Sequence, residues 1–417
     1  MTNAPVPSRL LTGPLPLLVL AQFAGTSPWF AVNAVMPDLQ MAYGWADGTV
    51  GTLTSAVQGG FIAGTLVFAL GGVADRYNAR LVFLLCALAS ALCTLAALGA
   101  VVWGQNLGAL HALRAATGFF LAGIYPVGMK IAAQWYPNRP GAGASGGGLG
   151  LALGWLVGAL VLGSAIPHAL RGALAALPAG SLPWGGVWVG VAALSVGAGL
   201  LVALFIPDAP GIHTAKLYRP SLRDHLRALA TLWTEPRLRA SAGGYFGHMI
   251  ELYTLWVLLP LILATRLQGA ALSWSAFAVL GAGMIGCVVG GRMVQRFGSA
   301  RVATAQLATS GLCCVLAPWA LGAPDALFAL WMLVWGITVA GDSPQLSALT
   351  ARNAPPQALG SVLTFTTCLG FLISIISIEV FVRWASHAPL ASVLPWLGLG
   401  PLLGVWALRS LWRAAPG

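Results

Sequence analysis

The segment Gly247 to Trp256, GHMIELYTLW, places a histidine and a glutamate three residues apart among apolar and aromatic residues. Positions three apart are neighbours on one face of a helix, so His248 and Glu251 would lie one above the other. A carboxyl group removed from water favours its neutral form, and imidazole changes charge between about pH 5 and 8. The two groups could therefore take up and release a proton near neutral pH. The alternative is a satisfied structural pair that bonds only to itself or to nearby carbonyls.

Three further charged side chains interrupt apolar segments, namely Arg114, Lys130 and Asp342. Arg114 keeps its charge, and could attract an anionic substrate or pair with an acid until that acid is protonated. Lys130 lies near the end of its segment, from where a long side chain can reach water. Asp342 lies in VAGDSPQLS, where Pro344 weakens the backbone hydrogen bonding and the polar Gln345 follows. Such a break is typical of a hinge or site-lining segment, and an Asp that caps a kinked helix is the alternative.

The elements that must position these residues are membrane-spanning helices. Of the 417 residues, 58% are hydrophobic and 7% charged, against about 25% charged in soluble domains. Crossing a hydrocarbon core of about 30 Å takes about 20 apolar residues. Twelve such stretches occur, and we number them spans 1 to 12: 14–36, 49–73, 81–103, 107–133, 143–169, 185–206, 241–264, 272–294, 302–322, 326–350, 358–382 and 390–411.

The net charge of +11 follows the predicted topology. Three basic residues lie on one side, Arg171, Arg266 and Arg383. Sixteen lie in the tails and alternate loops that form the other side: Arg9, Arg76, Arg80, Arg139, Lys216, Arg219, Arg223, Arg227, Arg237, Arg239, Arg292, Arg296, Arg301, Arg352, Arg409 and Arg413. The positive-inside rule then predicts a multi-pass protein of the cytoplasmic (inner) membrane with both termini in the cytoplasm. The basic charge indicates topology and no nucleic-acid partner.

An internal repeat divides the chain into two halves. The predicted domains are a six-helix half over 1–206, a basic cytoplasmic linker over 207–240, and a second six-helix half over 241–417. TGFFLAGIYP in span 4 matches WGITVAGDSP in span 10 at a shift of 218 residues, which pairs Gly118 with Gly336 and Pro126 with Pro344. Duplicated halves with a substrate site between them are typical of secondary transporters.

The loop after span 2 carries Gly71-x-x-x-Asp75-Arg76-x-x-x-Arg80, and span 4 carries Arg114-x-x-x-Gly118. With these motifs the chain resembles the major facilitator superfamily over essentially its whole length. The loop departs from the family pattern at Asn78, where a glycine is expected, and at Ala79. The resemblance implies an all-α fold of twelve helices in two pseudo-symmetric halves, a monomer, and a gate role for Asp75 at the cytoplasmic helix ends. A turn with positive-inside charges would explain the arginines without a gate.

The resemblance also implies that spans 1 and 7 line the cavity. Trp29 and Asn33 lie four apart on span 1 and are candidate substrate contacts; packing is the alternative for the tryptophan. The full set of predicted substrate contacts is Trp29, Asn33, Arg114, Tyr253, Gln345 and Lys130. The predicted proton-coupling residues are Glu251, as the leading carrier, with His248, Asp342 and Arg114.

These residues predict a proton-coupled secondary transporter for a small organic solute. Arg114 and Lys130 favour an organic anion moved with protons; Glu251, Asp342 and aromatic residues favour proton-driven efflux of a lipophilic cation. A distant alternative is an intramembrane hydrolase with Ser145 as its nucleophile. His248-x-x-Glu251 has no further ligand except Asp342, so a metal substrate is a minor option. Gly141-x-Gly143-x-x-Gly146 follows a helix and not a strand, so no cofactor is predicted.

Overall fold

The computed structural model describes residues 13–136, 148–176, 183–209 and 222–412, and these ranges contain helices and no strand. Among the described residues, eleven helices are long and apolar enough to cross a membrane. Predicted span 9 is the exception, because its helix Ser299–Val315 stops at Leu316 and resumes as Ala317–Ala320. The all-α architecture of twelve spans is therefore observed, with span 9 divided in two.

The first half contains spans 1 to 6. Its helices are Leu15–Thr26, a 3-10 turn Ser27–Phe30 and Ala31–Tyr43 (span 1), Thr49–Leu70 (span 2), the single turn Val73–Arg76, Ala79–Gly104 (span 3), Leu107–Leu121 and Tyr125–Trp135 (span 4), Gly148–Leu174 (span 5) and Pro183–Phe205 (span 6). Spans 1 and 4 are thus each interrupted once.

The second half follows the linker helix Leu222–Thr234. Its helices are Pro236–Ala264 (span 7), Gly269–Phe297 (span 8), Ser299–Val315 and Ala317–Ala320 (span 9), Asp325–Gly341 and Ser343–Asn353 (span 10), the 3-10 turn Pro356–Ala358, Leu359–Ala385 (span 11), and Leu390–Leu397 and Leu399–Trp412 (span 12). Span 7 begins inside the predicted linker, because a proline is favoured at the first helical position, where its missing N–H costs no hydrogen bond.

The repeat seen in the sequence is also present in the packing. Span 4 breaks between Leu121 and Tyr125, and span 10 breaks at Asp342, each just before the paired proline. A Cβ on Gly118 would lie 1.8 Å from the carbonyl oxygen of Val57, and one on Gly336 would lie 2.2 Å from that of Val279. Both halves therefore use a glycine to bring two helix backbones into close contact.

The two halves meet along spans 2 and 11 and along spans 5 and 8. Eleven of the sixteen basic residues on the predicted cytoplasmic side lie within the described ranges; Arg9, Arg139, Lys216, Arg219 and Arg413 lie outside them. We call the side of the molecule where the helix ends carry these arginines the basic end, and the other side of the molecule the opposite end.

Candidate functional site

A cavity of about 310 Å³ lies between the two halves. Its walls come from spans 2, 4, 5, 7, 10 and 11, and extend from mid-helix toward the basic end. Six aromatic side chains line it: Phe61, Tyr125, Tyr245, Tyr253, Trp256 and Phe371. The polar lining consists of these tyrosines and five hydroxyl side chains, Thr65, Ser343, Ser347, Thr364 and Thr367. None of the described residues that line this cavity carries a formal charge.

An aromatic layer closes the cavity at its mid-helix end, away from the basic end. We define this layer as Trp29, Phe30, Phe61, Tyr253, Trp256 and Phe371. The first three belong to the first half and the others to the second. Ring centroids are 4.8 Å apart for Phe61 and Phe371, and 5.4 Å apart for Phe30 and Trp256. These contacts cross between the halves, so the cavity does not continue through the layer.

Beyond the aromatic layer, polar bridges join the halves at the opposite end. The Arg171 guanidinium on span 5 donates to both carboxylate oxygens of Asp38, at 2.7 and 3.0 Å, and to Ser273 Oγ on span 8 at 3.0 Å. Ser55 on span 2 donates a 2.7 Å hydrogen bond to Glu379 on span 11. Glu379 also pairs with Arg383, one helical turn further along span 11, at 3.4 Å. The contact between Ser55 and Glu379 was missed, and its only sequence signal is an acid at a span end.

Glu251 lies inside the second half, fully buried. Trp335 Nε1 donates to its Oε1 at 2.6 Å, Ser310 Oγ donates to Oε2 at 2.8 Å, and the Cys314 thiol lies 3.3 Å from Oε1. Among the described residues no cation pairs with it. Glu251 does not line the cavity: a helix turns about 100° per residue, so Glu251 points about 200° away from Tyr253, which does line it. Its role as the leading proton carrier stays a prediction.

His248 pairs with Asp342 and not with Glu251. Its Nδ1 lies 2.8 Å from Oδ1 of Asp342, and the two side chains are 1% and 0% exposed. The separation is that of an ion pair, although the angles depart from those of a hydrogen bond. His248 Nε2 and Asp342 Oδ2 have no hydrogen-bond partner among the described residues. The contact joins span 7 to the break in span 10 that Pro344 predicts.

Arg114 and Lys130 both bind backbone carbonyls. The Arg114 guanidinium donates to Pro28 O at 2.9 Å and also to Trp29 O, in the 3-10 turn that interrupts span 1. Among the described residues it contacts no acid, and it does not line the cavity. Lys130 donates to Ala74 O in the loop after span 2. Arg114 therefore donates to carbonyls of an irregular turn, partners that residue type alone does not predict.

The other predicted substrate contacts are divided between the cavity and the helix packing. Tyr253 lines the cavity, and Trp29 lies behind it in the aromatic layer. Asn33 donates to Thr54 Oγ1 at 2.8 Å, and Gln345 donates to Gly341 O at 3.0 Å; both are buried away from the cavity. Each amide is used between or within helices in this structure, and the substrate role of both residues stays a prediction.

Several lining residues were not predicted, although a signal was available. Tyr245 lies eight residues before Tyr253, about two helical turns away on the same face. Tyr125 immediately precedes Pro126 in the repeated motif. Applying helical periodicity outward from Tyr253 would have found the first of them.

The loop predicted as a cytoplasmic gate makes its contacts within the first half and the start of the linker. Arg80 donates to Ile206 O and to Asp208, both at 2.8 Å, and Asn78 donates to Asp208 at 3.1 Å. Gly71 ends the span 2 helix, and Arg76 is exposed. The Asp75 side chain lies outside the described part of the structure, so its gate role stays a prediction. Ser145 and the Gly141 to Gly146 motif also lie outside the described ranges.

Eleven apolar spans and the divided span 9 form two repeated halves around a central cavity, which is the architecture of a secondary transporter. The family model of the Major Facilitator Superfamily matches residues 18–378, and the chain belongs to this superfamily. Members of the superfamily are transporters and not enzymes, as predicted. No curated protein matches the chain in sequence.

Solved structures of the same fold include three transporters of low sequence identity. The human organic anion transporter MFSD10 (TETRAN) is 16% identical with a TM-score of 0.69, over 97% of this chain and 100% of that one. The xylose transporter XylE from E. coli, in a partially occluded inward-open conformation, is 12% identical with a TM-score of 0.72, over 97% and 99%. The E. coli fucose:proton symporter FucP is 15% identical with a TM-score of 0.64, over 95% and 98%.

Proposed function

We propose that this protein is a proton-coupled secondary active transporter that moves a small organic solute by alternating access between its two halves. The observation that carries the proposal is the buried pair of His248 and Asp342 next to the cavity wall. Asp342 lies between Ala340 and Ser343, which both line the cavity, and His248 precedes the lining residue Met249. A change of protonation there acts directly on the wall that contacts a bound solute.

The chemistry of this pair suits proton binding. A pair that holds one proton is neutral overall, either as two neutral groups or as an ion pair. Losing that proton leaves a buried anion, and gaining a second leaves a buried cation, so each change costs several kcal/mol unless the helices rearrange. Because the contact joins span 7 to the break in span 10, we propose that protonation alters how these helices pack.

Glu251 is the second proton carrier in the proposal. Its three donors come from spans 9 and 10, behind the cavity wall. A protonated Glu251 can donate to Ser310 Oγ, whereas an ionised one accepts from it. Protons that reach Glu251 would therefore change hydrogen bonding inside the second half, and Glu251 would act through helix packing and not by touching the solute.

The cavity favours a solute with a largely apolar surface that is neutral or cationic. The predicted organic-anion class depended on Arg114 and Lys130, and both donate to backbone carbonyls away from the cavity. Six aromatic rings can contact an apolar solute, and their faces attract an organic cation. A volume of about 310 Å³ lies at the lower end of the range of small-molecule sites. Of the two predicted substrate classes, we therefore propose the lipophilic one.

The direction of opening follows from the charge distribution. Excess Lys and Arg on one side marks the cytoplasmic face, so the basic end would face the cytoplasm of a cell whose inner membrane holds the protein. The cavity would then be inward-facing, with the aromatic layer and the Arg171 and Ser55 bridges closing it from outside. A monomer is sufficient for this mechanism, because the cavity is formed within one chain.

Transport by purified protein in liposomes tests the proposal. We expect a fluorescent lipophilic cation to move against an imposed proton gradient, and an aromatic carboxylate to move little. Asp342→Asn and Glu251→Gln should leave transport insensitive to collapse of the gradient. Asp325→Asn is the control, because this acid on span 10 is 94% exposed. Wild-type transport that ignores the gradient would refute coupling, and proton-driven uptake of the carboxylate alone would restore the organic-anion class.

A further inference from the structure

A second cavity, of about 500 Å³, lies at the basic end of the second half. We call it the basic cavity. It is bordered by the first turns of spans 7 and 9 and by the last turns of spans 8, 10 and 12. Four arginines line it, Arg237, Arg296, Arg301 and Arg352, together with one acid, Glu235. Its net charge is therefore positive, in contrast to the uncharged central cavity.

Hydrogen-bond donors point into the basic cavity without acceptors. Span 9 begins at Ser299 after Gly298, which provides no side-chain cap, and the N–H groups of Ser299, Ala300 and Arg301 have no backbone partner among the described residues. Helix N-termini favour anions because of these free N–H groups and the helix dipole. The Ser299 side chain is 5% exposed, lines the cavity, and has no hydrogen-bond partner in the described part of the chain.

We propose that the basic cavity binds a phosphate group, carried by an anionic phospholipid headgroup or by a small soluble phosphate compound. Guanidinium forks match phosphate oxygens with paired hydrogen bonds. Arg237 and Arg301 come from different spans, so a bound phosphate would connect the start of span 7 to the start of span 9. Basic pockets between spanning helices on the cytoplasmic side are suited to phospholipid headgroups.

The position of the basic cavity gives such binding a structural consequence. The segment GGRMVQRFGSAR from Gly290 to Arg301 includes the end of span 8 and the start of span 9. It is the repeat counterpart of GGVADRYNAR after span 2, and it contributes Arg296, Gly298, Ser299 and Arg301 to the cavity. Span 7 also carries His248 and Tyr253, near its middle. A ligand that fixes the start of span 7 would therefore restrain a helix that lines the central cavity.

Thermal unfolding of the full chain in detergent, after removal of copurified lipid, tests the proposal. We expect inorganic phosphate, at constant ionic strength maintained with chloride, or short-chain phosphatidylglycerol, to raise Tm in a saturable manner. Arg301→Gln and Arg237→Gln should each weaken binding and raise the half-saturating concentration about tenfold. Arg292→Gln is the matched control, because it removes an exposed arginine of span 8 that does not line the basic cavity.

The two probes distinguish the source of the phosphate. A response to phosphatidylglycerol but not to phosphatidylcholine or inorganic phosphate assigns the cavity to a lipid headgroup. A response to inorganic phosphate alone assigns it to a soluble compound, and if both act, the probe with the lower half-saturating concentration identifies the source. The proposal would be overturned if neither probe raised Tm in a saturable manner. It would also be overturned if Arg292→Gln and Arg301→Gln raised the half-saturating concentration equally. The unfolding assay does not measure transport. Its result therefore stands even if the proton-coupled transport proposed above is refuted.

Discussion

The contact between spans 2 and 4 gives a sharp prediction, because two adjacent glycines face different surroundings. A Cβ on Gly60 would lie 1.8 Å from the carbonyl oxygen of Ala115, whereas a Cβ on Gly59 meets nothing within 4 Å. Ordinary contact begins at 3.4 Å, so Gly60→Ala requires the two backbones to separate by about 1.6 Å. Neither backbone can move away as a flexible side chain would, because each belongs to a packed helix.

We expect Gly60→Ala to destabilise the protein by about 1 to 3 kcal/mol or more, the usual cost of overpacking. Gly59→Ala should be neutral or stabilising by up to about 1 kcal/mol, since alanine favours the helix over glycine. The assay is thermal unfolding of both variants in the same detergent, followed by tryptophan fluorescence. Size-exclusion profiles of the two variants before heating control for aggregation.

The repeat supplies a second matched pair in the other half. A Cβ on Gly286 would lie 1.9 Å from the carbonyl oxygen of Ile337, and one on Gly291 of the same helix meets nothing within 4 Å. Gly286→Ala should therefore lower Tm and Gly291→Ala should not. Equal unfolding temperatures for the clashing and open positions in both halves would refute the inferred helix contacts.

Three further predictions concern the polar contacts. Ser55→Ala removes the bond to Glu379 between the halves, and should increase the fraction of molecules open at the opposite end; unchanged spin-label distances between spans 2 and 11 would contradict this. Trp335→Phe removes a donor to Glu251 and should cost about 1.5 to 3 kcal/mol if that carboxyl is ionised, as a bond to a charged group does, or about 0.5 to 1.5 kcal/mol if it is neutral; an unaltered Tm would contradict the contribution of this bond to stability. Arg114→Gln should lower Tm because two buried carbonyls lose a donor; a stable variant that loses only proton coupling would instead support the coupling role predicted from sequence.

The fold could be predicted from the sequence because a membrane imposes a simple rule. Backbone groups in lipid must bond within their own helix, so apolar length alone locates the spans. The rule fails where a helix is interrupted. Span 9 divides at Leu316, two residues before Pro318, and span 1 contains the 3-10 turn around Pro28, both within stretches that hydropathy alone reads as single spans. Prolines in these stretches were visible, but the carbonyl partners that permit such breaks come from distant residues such as Arg114.

The site could be predicted only in part, because hydropathy identifies a buried charge without identifying its partner. His248 and Glu251 share a helix face to within about 60°, which suggested that they act together. Their contacts instead diverge toward Asp342 in one case and toward Ser310 and Trp335 in the other. The uncharged cavity wall is harder still to foresee, since its serines, threonines and tyrosines resemble those of any spanning helix.

The repeat relationship shows how the two halves have come to differ. At the shift of 218 residues, Asp342 corresponds to Ile124 and Arg114 corresponds to Met332. All four positions are buried, and the helix break before the paired proline is kept in both halves. At these paired positions the first half therefore holds a fixed cation, which in practice cannot release a proton, and the second half holds an acid that can titrate. If transport is coupled to protons through Asp342, the proton binds in the second half, and the first half responds to it through the aromatic layer and the polar bridges that join the two.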